Sequence, residues 1–542
     1  MSLILHRYRK ACHAAILGSF EQPVSKDIED QLWDAHSLLN NRYRKSIEKV
    51  LEHNQGRTIW RRREPELTGI QMRRDEKQKA VEIRKLAKQY LDFIKMSQRF
   101  YREYILHLDQ KYRGIEELRR IANMWNQNGM RYHIPLTLFY VANLYAAPAP
   151  GGAAALSAEL KNRILSSVYR SLIQLGDLSR YRASKIDDPE KRNWGPAVGF
   201  YELAAKVSPE RGTAHHQQAM VSIEMGNHLR TLYHLYRSLS VEKPHPRAKD
   251  NLELDFKRIV SAYEKGQLIT TDRKDTGSAL IAWFVRLHGK YYKGEKFPGQ
   301  SEMENEVLSR LTVEVKARMA EGTLFRIIII NIAAETFASD RLLKEVTEAK
   351  IDSYSSFIRL NVRTFRTLLQ VLETELQEVT IDEGDSTTQA RSSLANRLTV
   401  ISRRILPGLR IYSTWFRKNW QVLASGIADP DLRSHCQDLW RTYAKCLTAV
   451  AATFPAQDLP SIAYMLEEDS ETIGFKPLMS ALTKRVWYVD GKLKGRYSDS
   501  EIERHHPNDE ILARIRDQLI NGLELAATID EVCCINENAF RS

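Results

Sequence analysis

The sequence predicts an all-α protein, with a TPR-like helical array in its N-terminal half and a domain of long helical hairpins after it. Three observations carry this. The 542 residues hold only 25 glycines and 17 prolines, so the residues that break helices are scarce. Apolar residues recur at three- and four-residue spacing along most of the chain. No segment sustains the alternation of a half-buried strand. The length suits two domains, and a 43% hydrophobic content is ample for two cores.

Taken in order, residues 24–54 carry one apolar stripe through Ile28, Leu32, Ala35, Leu38 and Leu39. Residues 75–109 carry a second, from Val81 and Leu86 to Ile105 and Leu108. The strongly basic stretch Arg57–Arg74 lies between them, interrupted by Pro65 and Gly69. Ala146–Ala155 is a low-complexity Ala/Pro/Gly loop, and Asp187–Pro196 and Ile381–Ser393 read as polar loops. Residues 160–245 read as two TPR-like hairpins. Tyr201-Glu202-Leu203-Ala204 precedes Pro209, and Tyr236-Arg237-Ser238-Leu239 precedes Pro244, an offset of 35 residues, close to the roughly 34-residue TPR period. Leu175-Gly176-Asp177 and Met225-Gly226-Asn227 are read as equivalent ends of successive units. Beyond residue 275 helical periodicity runs through 277–292, 302–320, 323–346, 353–379, 391–424, 430–454, 475–489 and 508–530. The expected domains are residues 1–262 and 263–542.

The net charge of +13 is concentrated: residues 1–120 hold 26 Lys/Arg against 17 Asp/Glu. A localised basic surface attracts anions such as nucleic acid or phosphorylated peptide; the bland alternative is a solvated face without a partner. Cys12, Cys436, Cys446, Cys533 and Cys534 show no metal-ligand spacing and read as reduced thiols of the cytosol or nucleus. Neither a membrane-spanning segment nor a secretory leader is expected. The four isoleucines Ile327–Ile330 read as a buried helix turn, and Trp283–Phe284 and Trp415 with Trp420 as core, although the Trp415–Trp420 pair could also face a partner. The adjacent pairs His215–His216 and His505–His506 are poor metal ligands on a helix. No metalloprotease, P-loop, dinucleotide or nucleophile-elbow motif is present. No metal, cofactor or enzymatic activity is therefore expected.

Two stretches identify a resemblance. One is Leu175-Gly176-Asp177-Leu178-Ser179-Arg180-Tyr181-Arg182. The other runs Gly212-Thr213-Ala214-His215-His216-Gln217-Gln218-Ala219, then Tyr233–Leu239, then Asn251-Leu252. Together they resemble the Est/Smg family of telomerase-associated proteins and nonsense-mediated mRNA decay factors. The resemblance implies a 14-3-3-like TPR domain that binds phosphoserine, followed by a helical-hairpin domain. It implies phosphate ligands at Arg180 and, in Tyr43-Arg44-Lys45-Ser46-Ile47, at Arg44, with Tyr181 as a hydroxyl donor. Arg42 and Lys45 remain rivals of Arg44. Where the family has a peptide-clamping Asn, this chain has His216. The physics agrees, since an Arg fork engages two oxygens of a phosphate bearing nearly two charges. The bland alternative for Arg180 is a pair with Asp177 three residues earlier. Some family members end in a nuclease domain, but residues 430–542 lack its βα alternation and clustered Asp.

The function expected from the resemblance is that of a non-enzymatic adaptor in nonsense-mediated decay. It would bind a phosphorylated partner, the decay helicase being the natural one, and would act in cytoplasm and nucleus. The alternative is a telomerase-associated protein that binds RNA or single-stranded DNA through Arg57, Trp60, Arg61, Arg62 and Arg63, since aromatics set among arginines can stack on bases. A heterodimer with a related family member is a further expected partnership.

Overall fold

In the computed structural model the described residues are 2–18, 20, 22–60, 69–127, 156–185, 191–268, 276–378, 394–424, 429–499, 501–528, 534–536 and 539–541. Eighteen α-helices and two short β-hairpins are found among them. They form two compact units, Met1–Ser208 and Pro209–Ser542. Two of the loops expected from the sequence, 146–155 and 381–393, lie outside the described residues; of the third, residues 191–196 are described, and the last two already belong to a helix. Among the described residues no helix is long and apolar enough to cross a membrane.

The first unit contains α1 (Ser2–Gly18), α2 (Pro23–Trp60), α3 (Gly69–Lys111), α4 (Glu116–Gln127), α5 (Ala158–Lys185) and α6 (Gly195–Val207). Helices α2 and α3 match the two expected stripes, while α1 had no clear signal. The apolar face of α3 buries Tyr90, Ile94, Tyr101, Ile105 and Leu108; that of α5 buries Ile164, Val168, Leu172 and Leu175. Spacings of three, four and seven put each set on one side of its helix, so packing rather than propensity secures the long helices.

Helices α5 and α6 form the first expected hairpin. Leu175-Gly176-Asp177, however, lies inside α5 instead of ending a unit. Gly176 is there for contact: a Cβ at this position would lie 2.3 Å from the Tyr201 ring of α6. Only a missing side chain allows the two helices to approach so closely.

The second unit contains α7 (Thr213–Glu224), α8 (His228–Leu239), α9 (Ala248–Glu264), α10 (Thr276–Lys293), α11 (Gln300–Lys316), α12 (Thr323–Lys344), α13 (Glu348–Glu378), α14 (Val400–Ala424), α15 (Pro430–Thr453), α16 (Glu467–Thr472), α17 (Ala481–Trp487) and α18 (Pro507–Thr528). One contiguous hydrophobic core runs from Ala219 to Ala526 and includes Ile327–Ile330, Phe365, Trp415 and Phe416. Trp415 is 1% exposed within that core and Trp420 is packed against it, so Trp415 forms no exposed surface. Trp283 and Phe284 also pack in this core.

At Met225-Gly226-Asn227 α7 does end. Gly226 takes φ 67°, the Asn227 amide donates to the Ser222 carbonyl (3.0 Å), and the Asn227 side chain caps α8 by accepting from the Arg230 amide (3.0 Å). The turns entering and leaving this hairpin are joined directly. Gly212 donates to the Lys243 carbonyl (2.9 Å) and Lys243 to that of Glu210 (2.8 Å), while Ser238 Oγ donates to the Gly212 carbonyl (2.8 Å). A Cβ on Gly212 would meet the Ser238 carbonyl oxygen at 2.4 Å.

One expected helix is cut short. Residues 475–489 form a 3₁₀ turn at Lys476–Leu478, then α17, and then turn back as a hairpin of β1 (Tyr488–Val489) with β2 (Lys492–Leu493). Asp490 and Gly491 adopt φ 50° and 74° at its tip, the left-handed pair that Asp-Gly favours in two-residue hairpins. The second hairpin pairs β3 (Cys534–Asn536) with β4 (Ala539–Arg541).

Candidate anion-binding site

Helix α5 brings Arg180 and Tyr181 to a junction in the first unit with α2, α3 and α6. Arg44 arrives there from α2. Its guanidinium carbon lies 4.2 Å from the centre of the Tyr181 ring, and that of Arg180 lies 4.4 Å from the same ring. Both contacts are within cation–π range. Two guanidinium groups from different helices are thus assembled around one aromatic ring. Arg44 is half-buried with its Nε unpaired, whereas its rivals Arg42 and Lys45 are exposed. Of these three neighbours, Arg44 is the one described against the Tyr181 ring.

Arg180 is held by α6. Its Nη2 reaches Asp177 Oδ1 at 3.5 Å and its Nε donates to the Tyr201 hydroxyl at 3.3 Å, while that hydroxyl donates to Asp177 Oδ1 at 2.6 Å. Burial lowers the Arg180 pKa, but Tyr201 and Asp177 outweigh it and hold the group above its ordinary value. Burial pushes the Asp177 carboxyl up against the opposing pull of Arg180 and Tyr201. Arg180 is thus a fixed, permanent charge. The pair with Asp177 and the ring contact with Tyr181 coexist on a side chain that is 12% exposed.

Tyr90 completes the junction from α3. Its hydroxyl donates to Asn40 Oδ1 at 2.6 Å, and its ring stacks on Tyr43 at 5.4 Å. Burial pushes the Tyr90 phenol up, with Arg44 opposing. At the rim, Lys185 pairs with Glu48 at 3.1 Å. The sequence reading placed Tyr90 in the apolar stripe of residues 75–109 and Tyr201 in a TPR-like repeat, but marked neither as a site residue, because no local spacing links them to Arg44 or Arg180.

His216 belongs to the second unit, on α7. It is 5% exposed, accepts from Asn251 Nδ2 at 2.8 Å, and stacks on His245 with ring centres 3.6 Å apart. Arg57 and Trp60 fall in the last turn of α2, where side chains are outside the described set; Arg61, Arg62 and Arg63 lie outside the described residues altogether.

A family profile described as the Est1 DNA/RNA binding domain matches residues 197–482, and one described as telomerase activating protein Est1 matches residues 27–184. The chain is similar to the nonsense-mediated mRNA decay factor SMG7 of Arabidopsis thaliana, 28% identical over 267 residues that make up 48% of this chain and 22% of the relative. It is also similar to the telomerase-binding protein EST1A of Danio rerio, 22% identical over 403 residues, covering 58% of this chain and 25% of the relative. The chain thus spans about a quarter of the length of these curated relatives. A solved structure described as that of Est1 and Cdc13 has the same fold, with a TM-score of 0.65 at 12% identity over all of this chain and 94% of that one.

Proposed function

This chain belongs to the Est1 family, and from that premise we propose that it is a non-enzymatic adaptor that binds phosphoserine-containing segments of a partner in nonsense-mediated mRNA decay. One observation carries the proposal: Arg44 and Arg180, from two helices, both lie against Tyr181. A phosphoserine brings nearly two negative charges and three acceptor oxygens. Two convergent forks supply matching donors, and each charge-assisted bond is worth roughly 1.5–3 kcal/mol. The Asp177–Tyr201 relay orders Arg180 in advance, which lowers the entropic cost of capture. The similarity to SMG7 supports the decay pathway, with a phosphorylated helicase as the natural partner and action in cytoplasm and nucleus. Pairing with a related family member is part of the same proposal.

Fluorescence anisotropy with a labelled Ser-Gln peptide, phosphorylated and unphosphorylated, tests the site. Arg180→Glu is expected to abolish phospho-dependent binding of this peptide, made without Lys or Arg beside the serine, and Arg44→Glu to weaken it at least tenfold. Unchanged affinity in Arg180→Glu would sink the assignment.

The second reading is a telomerase-associated protein that binds RNA or single-stranded DNA. The description of the profile matching residues 197–482 and the similarity to EST1A favour it. Its signature is affinity for single strands that falls linearly on a log scale with salt, with a slope of about −0.7 per phosphate neutralised.

A further inference from the structure

The second unit gathers three arginines that lack carboxylate partners. Arg230 and Arg237 stand two turns apart on α8, and Arg326 stands on α12, which packs against α8. Arg230 is exposed, Arg326 half-buried and Arg237 only 4% exposed. Among the described residues none of the three has a carboxylate within ion-pair distance. Arg326 donates to the Glu321 carbonyl (3.3 Å) and Arg237 to the Glu471 carbonyl (2.8 Å), both backbone acceptors. The Nε and Nη1 of Arg237 make no well-formed hydrogen bond, although the guanidinium interacts with the Tyr233 hydroxyl. Phe475 lies against that guanidinium at 4.9 Å.

The mutual repulsion registers on its neighbours. Burial lowers the Arg326 pKa and Arg230 lowers it further. His234, half-buried near them and 3.4 Å from His215, is held down to about 3 by desolvation and then by Arg326, Arg230 and Arg237. Like charges gathered with unsatisfied donors cost free energy unless an anion offsets them.

The surroundings select the kind of anion. Glu321 and Glu471 face Arg326, and burial together with Glu468, Glu471 and Glu321 pushes the Glu467 carboxyl up. A nucleic-acid strand presents a row of phosphates, and its neighbouring phosphates would meet this acidic flank. A peptide can present one isolated dianion and place basic side chains against the flank.

We propose that Arg230 and Arg326, with Arg237 beneath them, form a second phosphate-monoester site, which takes a phosphoserine or phosphothreonine peptide carrying Lys or Arg beside the phosphorylated residue. This site stands apart from the Arg44–Arg180 reading and shares no residue with it.

The test uses the full chain carrying Arg180→Glu, which silences the first site. Labelled peptides of three kinds are compared: phosphorylated with flanking Arg, phosphorylated with flanking Asp, and unphosphorylated with flanking Arg. The first is expected to bind at least tenfold more tightly than the others. Adding Arg230→Glu is expected to cost at least tenfold, about what one charge-assisted bond contributes. Arg230 is exposed and its side chain holds nothing in place, so that variant folds; an unchanged thermal melt verifies it. Arg326→Lys, which keeps the charge but loses the fork, is expected to retain part of the affinity. Three results overturn the proposal: no phospho-dependent binding in the Arg180→Glu background, binding indifferent to Arg230→Glu, or single-stranded RNA that binds more tightly than the peptides with the same dependence on Arg230.

Discussion

Arg180 meets its neighbours before any ligand arrives, and Tyr201 is the residue that makes this so. The Tyr201 hydroxyl sits between Arg180 and Asp177, accepting from one and donating to the other. Tyr201→Phe removes that link while leaving the ring against Gly176. The expected result is a loss of about 1–2 kcal/mol in urea unfolding, the usual cost of a buried hydroxyl bond, together with several-fold weaker phosphopeptide binding as the fork gains freedom. Wild-type affinity in this variant would show that Arg180 needs no such support. The Asp177–Arg180 spacing was readable in the sequence because it is local to one helix. Tyr201 was not, because 24 residues and a turn separate it from Asp177 and only helix packing joins them.

Among the elements, α12 carries a polar spine through the core of the second unit. His288 Nε2 meets Asn331 Oδ1 at 2.9 Å, Asn331 donates to Tyr412 at 3.2 Å, and Glu335 accepts from Asn361 (2.7 Å) and Trp415 (2.9 Å). Burial pushes Glu335 up to about 8, against the opposing pull of Trp415, Asn361 and Lys418. An acid with a folded pKa above its unfolded value of 4.5 contributes stability that is fully present below pH 4.5 and is lost as pH rises through 8. Between these limits the folded state binds more protons, so stability falls with pH at no more than about 1.4 kcal/mol per unit. Glu335→Gln keeps the acceptor and removes the charge. It is expected to flatten the pH dependence of the melting temperature between pH 5 and 8 and to raise stability at pH 8. An identical slope in the variant would place the titration elsewhere. The polar spine itself lay hidden in the sequence, since helical periodicity marks α12 as inward-facing without saying which polar groups will meet.

At the scale of the molecule, the sequence reading divides the chain after residue 262, whereas the compact units divide after Ser208 and the two family profiles match residues 27–184 and 197–482. Helices α7 to α9 have TPR-like character, yet Leu229, Leu232, Leu252 and Phe256 belong to the same core as Phe284 and Phe365. A contiguous core of this size supports a fold of its own. Residues 209–542 expressed alone are expected to give a helical circular dichroism spectrum and one cooperative melt. A broad, non-cooperative transition would mean that this core needs the first 208 residues.

What the sequence determined by itself is what short-range periodicity controls. The all-α class, most helix limits beyond residue 275 and the burial of Ile327–Ile330 were readable, because a helix writes its apolar face into the chain every three to four residues. Tertiary structure alone decided the rest. It turned Arg44, and not Arg42 or Lys45, toward Tyr181. It put Gly176 against Tyr201 inside a helix, and it left Arg230, Arg237 and Arg326 together without carboxylates. Each of these depends on which faces of distant helices meet, and that is settled by the packing of whole cores rather than by the residues near any one position.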